Sequence, residues 1–482
     1  MRWRYILRVI GVLVLLFGFT MVVPLLVGLF YSDRSAAPIG LAMGVAIVSG
    51  VILWGLGSGQ EVETIRQREG MAVVAIGWSV IGLFGALPFY FSGNEFTFTN
   101  AVFESVSGFT TTGSSILTNI EALPKGLLLW RSQIQWLGGM GIIVLSIAIL
   151  PFLGVGGMQL YRAEVPSPVP DKLKPRIRDT AMILWKVYVL FTVLEIVLLC
   201  LCGLSVFDAV CHAFTTLPTG GFSTKNASVI HYESVYVDGV VILFMLLAGI
   251  NFSLHYQLLR GKPLAFWRDS ECRFFLGASV LLVLVVTLNI HQTVYDSIAE
   301  AFRFGAFQVL SIVTTTGYAT ADYEQWPAMS QLILLFCMFM GASAGSTGGG
   351  MKCLRVMLCF KYCYRELFSL IHPRSVSRVK IGGNPVPDDV MSSVMGFLAL
   401  FIGLFVLSSV LLAGLGVDFT TALTAVASAL GNIGPGFGTV GPVENYAHIP
   451  VLGKWLLAWC MLLGRLEIFT LIILVVPEFW RK

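Results

Sequence analysis

Two stretches of the chain, SGFTTTGSS at 107–115 and SIVTTTGYA at 311–319, place three threonines and a glycine inside long apolar surroundings. Threonine hydroxyls and backbone carbonyls offer oxygen without fixed charge, and glycine lets the backbone turn with positive φ and aim those carbonyls. A ring of such oxygens can replace the hydration shell of a monovalent cation. A divalent ion would more typically recruit carboxylates, and these loops contain none.

The motif recurs when the chain is aligned on Gly113, Gly221, Gly317 and Gly434. Six residues before these glycines stand Ser107, Thr215, Ser311 and Ser428, all hydroxylated. Twelve before stand Ala101, Ala209, Gly305 and Ala422, all small. The candidate ion ligands are Thr111, Thr112 and Gly113 in loop 1, and Thr219, Gly220 and Gly221 in loop 2. Thr315, Thr316 and Gly317 are those of loop 3, and Asn432, Ile433 and Gly434 those of loop 4.

The elements that must position these loops are membrane helices. The chain has 482 residues, of which 56% are hydrophobic and only 12% charged, about half the charge of a soluble domain. Apolar runs long enough to cross a bilayer lie near 6–30, 38–57, 71–91, 126–152, 180–202, 237–259, 273–291, 327–360, 390–413 and 451–477. The first is read as a retained helix, being too long for a signal peptide. Shorter stretches near 97–109, 205–217, 296–313 and 418–431 precede the four loops and are too short to cross.

With the N-terminus inside, the outer segments hold only Arg34, Lys125, Lys225, Arg303 and Lys454. Arg131, Lys186 and Arg465 fall within spans, and every other basic residue lies inside. Both termini are thus expected in the cytoplasm and all four loops dip in from outside. Two crossings per repeat return the chain to the same side, so the repeats are parallel around an axis along the membrane normal. The expected fold is all-α integral membrane, with four parallel pseudo-symmetric repeats around a central pore and two extra N-terminal transmembrane helices. The expected boundaries are 1–70 for the two helices, then 71–165, 166–265, 266–380 and 381–482 for repeats 1 to 4.

A second constellation, MGASAGSTGGGMK at 340–352, interrupts the eighth span. Its glycines disfavour a regular helix, and irregular backbone at membrane depth must be buried or line a cavity. Gly341, Ala344, Gly345, Ser346, Thr347, Gly348, Gly349 and Gly350 are therefore expected to lie in the pore, beneath the filter. A phosphate-binding loop is excluded by Met351 and Cys353 and by the absence of a preceding strand. Arg465, deep in the last span, must face the interior or water; its fork could donate to carbonyls of the broken loop. Glu195, another charge in mid-span, is expected to pair, with a proton site as the alternative. The nine cysteines and six histidines form no metal spacing. No HExxH and no nucleophile–base pair is present, so the chain is not expected to be an enzyme. A net charge of +4 does not suggest nucleic acid.

TTTGSS at 110–115, TGGFST at 219–224, TTTGYAT at 314–320 and GNIGPG at 431–436 resemble the Trk/Ktr/HKT superfamily of potassium transporters, most closely its bacterial TrkH/TrkG branch. GVGGMQLYRAE at 154–164, GSTGGG at 345–350 and GRLEIFTL at 464–471 carry the same resemblance. It covers essentially the whole chain. It implies potassium as the transported ion, a homodimer in the inner membrane with one pore per subunit, and assignment of the glycine loop and Arg465 to the gate. It also implies a cytosolic TrkA-like nucleotide-binding ring as regulatory partner, with the nucleotide on that ring and none on this chain. In this superfamily a glycine in all four loops goes with potassium selectivity and a serine in the first loop with sodium transport in some plant members; Gly113 in the first loop here implies potassium. Loops 2 and 4 depart from TTTG, and each loop has less glycine than a potassium-channel filter, so discrimination against rubidium is expected to be looser. A sodium-permeable or nonselective cation channel is the alternative reading.

Overall fold

The computed structural model describes residues 1–57, 67–93, 96–149, 177–375 and 377–480. The motif at 154–164 and the expected boundary at 165/166 lie outside them. Within these residues the architecture is helical throughout, apart from one two-stranded ribbon pairing Lys380–Ile381 with Asn384–Pro385.

Among the described residues, six helical segments are long and apolar enough to cross a membrane, and no more than 39% of any of their apolar windows is buried inside the protein. Leu194, Val197, Leu284 and Val410 are among the large apolar side chains left exposed on them. Such a surface suits lipid rather than water. Trp3–Thr20, Val22–Phe30 and Ala36–Leu56 form an N-terminal pair. They cross where Gly11 meets Gly50: a Cβ at either would come within 2.9 Å of the other's carbonyl oxygen. Small residues permit this close approach of backbones. The pair packs on Gln67–Ser92, the first helix of the first repeat.

Each of the four repeats places a short helix between two longer segments: Phe98–Phe109, Val206–Thr216, Ile298–Val313 and Phe419–Gly431. Three start at an N-cap whose side chain accepts from the third residue on. Thr97 accepts from Asn100 N–H, Ser205 from Asp208 and Asp418 from Thr421. These caps satisfy donors that the first turn leaves open and fix where the helix begins. The halves of the short helices next to the loops are largely buried, with Ser107, Thr215, Ser311 and Ser428 at 0% exposure.

Among the described residues, the outgoing segments of three repeats are broken, where the sequence suggested a break in only one. Ala328–Met340 and Cys353–Ile371 are separated by the glycine cluster. Val235–Gly249 and Phe252–Leu259 meet at a 103° bend, and Val451–Arg465 and Phe469–Val475 at 113°. At the first bend Ile250 is extended and the Asn251 side chain caps the next helix by accepting from Ser253 N–H. At the second, Glu467 and Ile468 lie at positive φ, +56° and +39°. Positive φ is costly for a β-branched residue, and the surrounding contacts must hold it there. Apolar composition runs through both bends, so a count of apolar residues cannot reveal them.

Candidate functional site

The four loops share one backbone conformation. Thr111, Thr219, Thr315 and Asn432 all have φ between +51° and +62°, and Gly113, Gly221, Gly317 and Gly434 have φ between +74° and +110°. In each, the N–H of the residue before the glycine returns to the short helix. Thr112 donates to Ser107 O, Gly220 to Thr215 O and Thr316 to Ser311 O, each at 2.8 Å, and Ile433 donates to Ser428 O at 3.0 Å. The hydroxylated position seen in the sequence is thus also the residue whose carbonyl folds each loop back onto its helix.

The loops close on one another in chain order. A Cβ on Gly113 would strike the carbonyl oxygen of Gly220, one on Gly221 that of Thr316, and one on Gly317 that of Ile433; one on Gly434 would lie 2.9 Å from that of Thr112. Both the positive φ and this approach require glycine. Side chains reinforce the closure. Tyr318 Oη lies 2.5 Å from Thr215 Oγ1, Tyr323 Oη donates to Gly436 O at 2.9 Å, and Asn432 Nδ2 donates to Thr112 Oγ1 at 3.0 Å.

The carbonyl oxygens of Thr112, Gly113, Gly221, Thr316, Gly317 and Ile433 accept no hydrogen bond among the described residues. Thr112, Thr316 and Ile433 are buried and Gly113, Gly221 and Gly317 half-buried; buried backbone acceptors are normally satisfied, so this row of unengaged carbonyls beside buried threonines can take a ligand that wants oxygen. Loops 2 and 4 differ. Gly220 O accepts from Gln135 Nε2 at 2.7 Å. Gly434 O accepts from the hydroxyls of Ser114, Ser428 and Tyr446 at 2.8–3.0 Å. These are the two loops whose sequences depart from TTTG.

The segment 341–352 lies against the inner ends of the loops. Gly349 N–H donates to Thr315 Oγ1 at 2.7 Å, and Thr347 Oγ1 donates to Leu217 O at 2.8 Å. Gly348 N–H donates to Ser346 Oγ at 3.3 Å. Gly341, Gly345 and Gly350 take positive φ at its turns. Gly345 O accepts from Phe252 N–H, so the bend after Gly249 docks on this segment. Arg465, 2% exposed, donates through Nη1 to Thr347 O at 2.7 Å. It does not pair with Glu467, which meets Arg355 at 2.6 Å. Glu195, expected to pair, is fully buried, and neither carboxyl oxygen has a hydrogen bond of ordinary geometry among the described residues.

Two residues holding this segment were missed from the sequence. Glu271 is 3% exposed and accepts at Oε1 from Ala344 N–H at 2.7 Å and Leu354 N–H at 3.1 Å, gripping both sides of the break. Lys352 Nζ donates to Gly348 O. A carboxylate two residues before an apolar span was the available signal for Glu271; nothing in the sequence named its partners.

A family model described as TrkH, cation transport protein, matches residues 43–482. The chain is 43% identical over 486 residues to the Trk system potassium uptake protein TrkH of Escherichia coli strain K12, covering all of both chains. It is 36% identical over 489 residues to the TrkG protein of the same organism, covering 99% of each. Its structure is similar to the crystal structure of the potassium transporter TrkH from Vibrio parahaemolyticus, with a TM-score of 0.92, 39% identity and complete coverage of both chains.

Proposed function

Because this chain belongs to the TrkH family of cation transport proteins, and so to a family of transporters rather than enzymes, we propose that it takes up potassium ions through the ring of four loops. The observation that carries this reading is the set of unengaged carbonyls on adjacent, uncharged loops. A potassium ion entering from outside exchanges water for these oxygens and for those of Thr111, Thr112, Thr219, Thr315 and Thr316. The C-terminal ends of the four short helices add negative potential at the same place. Loops 2 and 4, with carbonyls turned to Gln135 and to three hydroxyls, contribute fewer ligands. The ion sites are accordingly few and unequal around the ring.

The segment Gly341–Gly350 acts as the gate beneath this filter, with Arg465 as its latch and as a positive barrier to a cation. Opening requires the bond from Arg465 to Thr347 O to break and the segment to leave the inner ends of the loops. The unit is a homodimer in a bacterial inner membrane with both termini cytoplasmic, its repeats dividing near 71, 166, 266 and 381. A cytosolic TrkA-like nucleotide-binding ring sets the open fraction. The name Trk system, carried by the relatives, supports a transporter of several components.

Isotopic potassium flux into liposomes holding the purified protein, competed by sodium, tests the reading. Uptake that sodium displaces only weakly is expected. Equal potassium and sodium flux would make the protein a nonselective monovalent cation channel, and absence of flux with and without the ring would end the transport reading.

A further inference from the structure

Nine residues before the loop glycines stand Glu104, His212, Gln308 and Ala425. The first three are polar and fully or almost fully buried, and each reaches past its own loop to the backbone or side chain that follows it. Glu104 accepts from Ser115 Oγ at 3.0 Å and from Ile116 N–H at 3.0 Å. His212 Nε2 lies 3.1 Å from Ser223 Oγ. The Gln308 amide, with its oxygen facing the backbone donors, accepts from Thr320 N–H at 2.7 Å and Ala321 N–H at 3.0 Å. In repeat 4, where Ala425 cannot do this, the neighbouring Thr424 takes over: its Oγ1 accepts from Phe437 N–H and donates to Phe437 O, both at 2.9 Å.

The first of these struts differs from the rest in charge and reach. Glu104 Oε1 receives Arg131 Nε at 2.6 Å, with both side chains no more than 3% exposed. Arg131 continues into the next repeat. Its Nη1 donates to Ser223 O at 2.8 Å, and its guanidinium lies 3.6 Å from the centre of the Phe222 ring. Ser115 and Ser223 each stand two residues after a loop glycine. One buried ion pair therefore grips the same position of two adjacent loops. Through Ser223 it joins His212, whose Nδ1 lies 2.8 Å from Asp208 O.

We propose that Glu104 and Arg131 are positioning residues for ion discrimination: the pair holds the spacing of loops 1 and 2 and keeps the ground behind them electrically neutral. The inference rests on the potassium-uptake reading above. Two charges taken out of water are costly unless paired and hydrogen-bonded. Here the carboxylate has three donors and the guanidinium two acceptors and a ring face. Removing one partner leaves the other uncompensated. Loss of the carboxylate would set a bare cation behind loops that bind a cation.

The test is potassium flux, with sodium competition, in liposomes holding the full chain, for the unaltered protein and for Glu104→Gln, Arg131→Gln and the double variant. Thermal melting of each in detergent serves as the stability readout. The unaltered protein must first prefer potassium; if it does not, the uptake reading falls and takes this inference with it. Glu104→Gln is expected to raise KM for potassium and lower the preference over sodium by about tenfold, equivalent to ~1.4 kcal/mol, with a smaller effect on maximal rate. The double variant, which leaves no unpaired charge, is expected to recover much of the KM and preference that Glu104→Gln loses. A double variant no better than Glu104→Gln, or losses that simply follow melting temperature, would overturn the proposal. If Glu104→Gln does not insert, Ser115→Ala removes one donor from the carboxylate and is expected to lower the preference about threefold; an unchanged preference there would also overturn it.

Discussion

Arg465 and Thr347, 118 positions apart in the chain, meet in one hydrogen bond: Nη1 donates to the threonine carbonyl at 2.7 Å. The Nε and Nη2 groups of the same guanidinium have no hydrogen-bond partner among the described residues. A buried cation held by a single bond to an irregular segment is poised to let go. Arg465→Ala is expected to raise basal potassium flux in liposomes several-fold over the unaltered protein. Unchanged or lower flux in a well-folded variant would remove Arg465 from the gate.

Gly113 has φ +87° and faces the carbonyl of Gly220. A side chain there must move loop 2 or its own backbone. Gly113→Ser is expected to reduce the preference for potassium over sodium by about tenfold or more, as lost ligand geometry worth ~1.4 kcal/mol would do. Competition flux measures it, and a preference unchanged from the parent would show that the ring does not discriminate at this level.

Glu271 secures the broken span from both sides, through Ala344 N–H and Leu354 N–H. Glu271→Ala orphans two buried donors, at about 1–3 kcal/mol each. The melting temperature should fall clearly, and the loosened segment should leak potassium. Glu271→Gln keeps an acceptor oxygen and should melt between the two. Equal melting of all three proteins would contradict the role.

Asp418 caps the fourth short helix, and hydrogen bonds from Thr421 hold its carboxyl below the usual carboxylate range. A carboxyl lowered by folding stabilises above its unfolded value near ~3.9, and that contribution is lost as pH falls through the lower folded value. Asp418→Ala should therefore cost about 1 kcal/mol at neutral pH, the usual worth of an N-cap. Its melting difference from the parent should shrink only in strong acid. A difference that disappeared by pH 6 would point to another cause.

The sequence by itself determined what local composition controls. Runs of apolar residues set the long helices, and the short helices came out within two residues of their expected ends, with Thr97, Ser205 and Asp418 capping three of them at the start and Thr111, Thr219, Thr315 and Asn432 turning to positive φ just past their ends. The glycine cluster announced its break, since backbone propensity is local. The bends at Ile250–Asn251 and Leu466–Ile468 stayed hidden because apolar composition runs through them and contacts from elsewhere hold them: Gly345 docks on one, and Arg355 holds Glu467 at the other. The column of the repeat alignment with Glu104, His212 and Gln308 was legible, but its purpose was not. Only tertiary closure decided that loop 1 faces loop 2, that Gly220 and Gly434 spend their carbonyls on side chains, and that Arg131 joins Glu104 to Ser223. Such partners are distant in the chain, and no periodicity or spacing encodes which distant oxygen a given donor will reach.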